Sequence, residues 1–180
     1  PNGAYTTGNQ YIQSTTAANG AAIFASDSAN TDWSVTPITI VASPVNWEAS
    51  LVSPLLDLSA SPYVEIEFQQ RSRFCCDQSP FFLEVSTDGG FSWPTAFLTN
   101  PGLPLNQGAP GVGGGPVTTE TRVFNLTNAI AADATQVKFR FRHNSESGTS
   151  HYFWQVDDIE IRMLGEYDLR LVSAANTSFD

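Results

Sequence analysis

One stretch, HYFWQVDDIEIRM from His151 to Met163, constrains this chain most. Tyr152, Phe153, Trp154, Val156, Ile159 and Ile161 are aromatic or β-branched, and neither Gly nor Pro interrupts them, so the stretch predicts a strand. Two adjacent carboxylates, Asp157 and Asp158, occupy its middle. Side chains alternate between the faces of a strand, so one of the two is expected to point to the packed side. A buried carboxylate is costly unless a cation, an arginine or several N–H donors compensate it. The pair is therefore a metal site or an Asp hydrogen-bonded to a neighbouring loop.

The rest of the chain is built from similar pieces. YVEIEFQQ (63–70) places Val64, Ile66 and Phe68 on one face and Glu65, Glu67 and Gln69 on the other. VKFRFRHN (137–144) alternates Val137, Phe139 and Phe141 with Lys138, Arg140 and Arg142, a basic row that would complement Glu65 and Glu67 on a neighbouring strand. Further strands are expected at Ala21–Asp27, Val35–Val41, from Trp47 to Leu51 and at Arg122–Ile130. FFLEVSTDGGFSW (81–93) runs into a turn at Asp88-Gly89-Gly90, whose glycines are expected at positive φ. Residues 100–117 form a Gly/Pro-rich loop without the lysine or strand-to-helix context of a phosphate site. No segment shows sustained helical periodicity. The fold class is all-β: a two-sheet antiparallel β-sandwich, for which jelly-roll and Greek-key wiring both fit.

Composition narrows the partners. The net charge of −10 and the single lysine, Lys138, leave no basic stripe for nucleic acid. The charge favours divalent cations or neutral ligands such as glycans. Charged residues make up only 14%, and Ser, Thr, Asn and Gln take their place, a balance that points to an extracellular setting. No run of about 18 apolar residues occurs, so membrane insertion is not expected, and the first residues do not read as a signal peptide. Cys75 and Cys76 are adjacent, and a vicinal disulfide, free thiols and pairing with another chain all stay open.

In the loop SDSANTDWS, Asp27, Ser28, Asn30 and Asp32 offer oxygen ligands, without EF-hand spacing. Trp33, Trp47, Phe91 and Trp93 lie near loops and could stack on sugar rings or fill a protein hot spot, with Trp93 the leading expectation for exposure. His143 and His151 flank the polar segment NSESGTS with no acid or nucleophile motif beside them. Catalysis is not expected.

Taken in order, GAYTTGNQYIQSTTAANGAAIFASD, ASLVSPLLDLS, FFLEVSTDGGFSW, VKFRFRH and YFWQVDDIEI resemble the MAM-like and cleaved-adhesin jelly-roll modules of bacterial surface proteins. Such modules occur in gingipain adhesin regions and in cargo of type IX secretion and gliding motility. The resemblance covers residues 3 to 163. It implies a secreted or cell-surface module within a multi-domain protein, binding glycan, protein or other copies of its chain. Residues 1–165 would form the domain and 166–180 an exit linker or the first strand of a following domain. The alternatives are a spacer or filament subunit, or an accessory carbohydrate-binding domain of a secreted hydrolase. The resemblance also implies calcium, carried over onto Asp27, Asp157 and Asp158. Where relatives have a further Asp, two residues before Asp27, this chain has Ala25, and Glu48 is the replacement donor considered.

Overall fold

A computed structural model of the chain describes residues 3–4, 10–41, 47–60, 63–73, 81–100, 118–131, 134–145 and 152–164. Ten strands occur among them: β1 (Ala22–Phe24), β2 (Thr31–Asp32), β3 (Thr39–Ile40), β4 (Trp47–Val52), β5 (Val64–Arg73), β6 (Phe81–Ser86), β7 (Thr95–Leu98), β8 (Glu120–Asn125), β9 (Lys138–Ser145) and β10 (Phe153–Met163). Helix among these residues is limited to one turn, α1 (Ser26–Ala29), and two three-residue 3-10 turns. Two four-stranded antiparallel sheets, ordered β1-β10-β5-β8 and β4-β9-β6-β7, form the sandwich, and β2-β3 is a separate ribbon.

Period-two patterning explains the layers. Val64, Ile66 and Phe68 of β5, Leu83 and Val85 of β6, Phe139 and Phe141 of β9, and Trp154 and Val156 of β10 are buried in one cluster. Each such side chain contributes about 1.5–3 kcal/mol. The Trp154 ring stacks on Phe24 at 4.9 Å and on Phe81 at 5.0 Å, and its Nε1–H donates to Gln70 Oε1 at 2.9 Å. The expected strands at 63–70, 81–86 and 137–144 are present, and β5 extends further, to Arg73.

Other expectations need correction. Of Val35–Val41 only Thr39–Ile40 is strand, and Ser26–Ala29 is a helical turn rather than loop. The Arg122–Ile130 strand stops at Asn125, where the chain enters a 3-10 turn. Cys75, Cys76, His151 and residues 101–117 lie outside the described residues.

The basic row also pairs differently. Arg140 and Arg142 lie in the β4-β9-β6-β7 sheet, whereas Glu65 and Glu67 belong to the other sheet, across the core. Glu84 of β6, directly opposite Arg140, takes the two guanidinium groups instead. It accepts from Arg140 Nε at 2.6 Å and from Arg142 Nη2 at 2.9 Å. This carboxylate raises the Arg142 guanidinium further above its ordinary range. Glu65 and Glu67 pair with Arg162 of β10, at 3.5 and 2.8 Å.

The β6–β7 turn follows its sequence. Gly89 and Gly90 carry φ of 77° and 97°, as expected, and a Cβ on Gly90 would sit 3.3 Å from the Lys138 Cδ. Gly90→Val is expected to destabilise the fold by about 1 kcal/mol or more, read from thermal melts; an unchanged melting temperature would contradict the strain argument.

Candidate functional site

The Asp157–Asp158 pair interrupts β10. Alternation from Trp154 and Val156 would send Asp158 inward, but the register with β5 shifts between Asp157 and Glu160. Asp158 adopts φ 50°, and Ile159 and Ile161 take the inward positions instead. Neither carboxylate is buried, which corrects the expectation that one of them faces the packed side. Both bind the N-terminal segment. Ser14 Oγ donates to Asp157 Oδ2 at 2.5 Å, Thr16 Oγ1 to Asp158 Oδ1 at 2.5 Å, and Thr15 N to Asp158 Oδ2 at 2.9 Å. The Thr16 hydroxyl above all, aided by the Thr15 and Thr16 backbone N–H groups, holds the Asp158 carboxyl below the usual range. Hydroxyl and N–H donors thus compensate the pair.

Asp27 is elsewhere. It lies in α1, buried to 2% exposure, with its backbone N–H donating to Tyr152 O at 3.1 Å and Thr31 Oγ1 donating to its carbonyl at 2.7 Å. Gly3 packs so closely on the carboxylate that a Cβ there would collide with it. Tyr152, just before β10, is five residue steps from Asp157, about 16 Å at strand rise. Asp27 and the pair therefore do not share one coordination shell. Glu48 is exposed on β4, in the other sheet, 3.5 Å from Arg142. Among the described residues, no three His, Cys, Asp or Glu side chains converge as a metal cluster.

The aromatic residues divide between the two ends of the sandwich. Phe91, at the tip of the β6–β7 hairpin, is 93% exposed. The turn beneath it is braced by Asp88, which accepts from Ser92 Oγ at 2.5 Å, Ser92 N at 3.0 Å and Ser86 Oγ at 2.7 Å. Those bonds, the Ser92 hydroxyl first, hold the Asp88 carboxyl well below the usual carboxylate range. Trp93 is half-buried rather than the most exposed, because the Arg140 guanidinium covers its ring at 4.2 Å. Trp33 lies at the opposite, α1 end, 54% exposed, and its indole N–H donates to Ser28 O at 3.2 Å. Trp47 packs against His143 with ring centroids 5.0 Å apart.

Sequence reasoning missed His143 as a core residue. It sits among Phe24, Trp47 and Phe81, with Nδ1 lacking a hydrogen-bond partner, and desolvation lowers its pKa to about 3. Its place in the Val137–Phe139–Phe141 alternation was the available signal.

Fold and site together define an antiparallel β-sandwich with a braced, aromatic-tipped hairpin at one end and a buried carboxylate at the other. No protein-family model matches the chain, and no curated protein matches it. Among the described residues no helix is long and apolar enough to cross a membrane.

Proposed function

We propose that the chain is a non-catalytic binding module of a secreted or cell-surface bacterial protein, of the MAM-like, cleaved-adhesin kind, and that it binds glycan through the Phe91 hairpin tip. The observation that carries this reading is the nearly complete exposure of Phe91 on a turn held by three hydrogen bonds to Asp88. A large apolar ring held rigidly in water stacks on a sugar face at little ordering cost. The strand orders β1-β10-β5-β8 and β4-β9-β6-β7, in which sequence neighbours β4 and β5 fall in different sheets, support jelly-roll wiring. The burial of His143 among aromatic rings supports a role without acid–base catalysis. A glycan array probed with the protein tests the reading. It predicts a defined subset of bound glycans, and an array without any would leave the spacer reading in its place.

Calcium, which the resemblance implies, fits Asp27 better than the Asp157–Asp158 pair. Asp27 is a hard oxygen donor, buried to 2% exposure with the Gly3 backbone against its carboxylate, whereas Asp157 and Asp158 are not buried. Asp27 would be the anchoring ligand, and the ion would supply charge compensation and tie residues 3–4 to α1. Calcium is expected to raise the melting temperature relative to chelator in the wild type and to leave Asp27→Asn unchanged. Superimposable wild-type melts would contradict it.

A further inference from the structure

The second half of β10 has one open edge. β1 pairs with β10 only as far as Val156, and among the described residues no strand pairs with the same side of Ile159–Met163. Leu164 N donates to Tyr63 O at 2.7 Å, continuing the register in which Met163 faces Val64 and Ile161 faces Ile66. Alternate residues of an antiparallel ladder bond to the same neighbour. Glu160, Arg162 and Leu164 therefore bond to β5, while Ile161 and Met163 direct their N–H and C=O groups outward. Ile159 lies on the same side of the strand as Ile161, beside Leu51 and Val52 of β4. Ile159, Met163, Leu51 and Val52 are all exposed, so an apolar strip borders the open edge.

We propose that a second copy of this chain docks on this edge, β10 against β10 in antiparallel register about a two-fold axis at Ile161. Charge selects that register. Centring on Glu160 or Arg162 would set like charges opposite each other on the axis, and centring on Ile159 would set Glu160 opposite Asp158. Centring on Met163 would pair no charges. At Ile161 each Glu160 faces the partner's Arg162, and the outward backbone groups of the two strands meet. Within one chain this row is short of cations. Glu160 lies directly opposite Glu67, and Arg162 alone serves Glu160, Glu67 and Glu65, at 2.7, 2.8 and 3.5 Å. The partner's Arg162 supplies the second cation beside Glu160. On the other face Ile159 meets the partner's Met163 and Ile161 meets its counterpart, which covers the apolar strip. Such an isologous contact closes at two copies. This pairing is independent of the Phe91 tip, which lies on the other sheet's hairpin.

Sedimentation velocity and hydrogen exchange on the full chain, each over a concentration series, test the pairing. The wild type should pass from monomer to dimer as concentration rises, and the Ile161 and Met163 amides should gain about tenfold or more protection with it. Glu160→Arg sets an arginine opposite Glu67 in its own chain, which favours the monomer sheet, but opposes the partner's Arg162 at two places in the dimer. Its dimer dissociation constant should rise about tenfold or more, with no loss of melting temperature in the monomer. Met163→Pro deletes only an outward N–H and should weaken the dimer to a similar extent. A wild type that stays monomeric at every concentration would overturn the proposal. Ile161 and Met163 amides already protected in the monomer would also overturn it, because the chain's own residues would then cover the edge. Either variant dimerising as the wild type does would do the same.

Discussion

Acidification from pH 7 to about pH 4.5 is expected to remove about 2–3 kcal/mol of folding stability through His143 alone. Its imidazole is buried among Phe24, Trp47 and Phe81, and loss of hydration lowers its pKa from 6.5 to about 3. The unfolded chain therefore takes up a proton below about pH 6.5 that the folded chain refuses until far lower pH. Stability is complete above 6.5 and falls by about 1.4 kcal/mol per pH unit between the two values. Carboxylates held low in the fold, such as Asp88 and Asp158, contribute losses only near and below their unfolded values, under about pH 4.5. Urea unfolding of the wild type and His143→Phe at both pH values separates the effects. The aromatic surroundings accept phenylalanine, so the variant should be nearly flat across this window. An equally steep loss in the variant would assign the acid sensitivity to other groups.

Trp154→Ala should have the largest effect of any single substitution considered, about 4–5 kcal/mol. The indole is fully buried between Phe24 and Phe81, and its removal leaves a cavity as well as losing apolar burial. It also strands Gln70 Oε1, whose carboxamide N–H otherwise bridges Thr99 O at 3.0 Å and Glu120 Oε1 at 2.7 Å. Trp154→Phe keeps most of the apolar contact but not the hydrogen bond, and should cost about 2 kcal/mol. Denaturant midpoints measure both. Equal costs would show that the apolar contact kept by phenylalanine contributes nothing, and would contradict the cavity argument.

Much of the sandwich was legible because period-two patterning is local. Val64–Phe68, Leu83–Val85 and Phe139–Phe141 face inward as their alternation requires, and Gly89 and Gly90 take the backbone angles their turn demands. What the sequence concealed depends on which strands meet. Arg140 and Arg142 carry no mark of Glu84 as their partner, since pairing of β9 with β6 rather than β5 is decided by the whole topology. The bulge at Asp158 defeated the alternation argument at the one place where a site was expected. A single added residue turned an inward carboxylate outward and brought Ile159 and Ile161 to the core side. Trp93 misled for a similar reason, because Arg140 reaches it from a strand far away in sequence. Phe91, its neighbour in the same turn, has no such cover.

The most direct measurement is the affinity of the best glycan from an array, titrated by calorimetry into the wild type, Phe91→Ala and Trp33→Ala. Phe91 and Trp33 mark opposite ends of the sandwich, and neither is a buried residue whose loss would disturb the core. If the hairpin tip is the binding surface, Phe91→Ala should weaken binding about tenfold or more, the equivalent of one lost stacking contact of about 1.4 kcal/mol. Trp33→Ala should stay within about twofold of the wild type on the same energy scale. Unchanged affinity in Phe91→Ala, with the loss in Trp33→Ala instead, would contradict the account and move the binding surface to the α1 end.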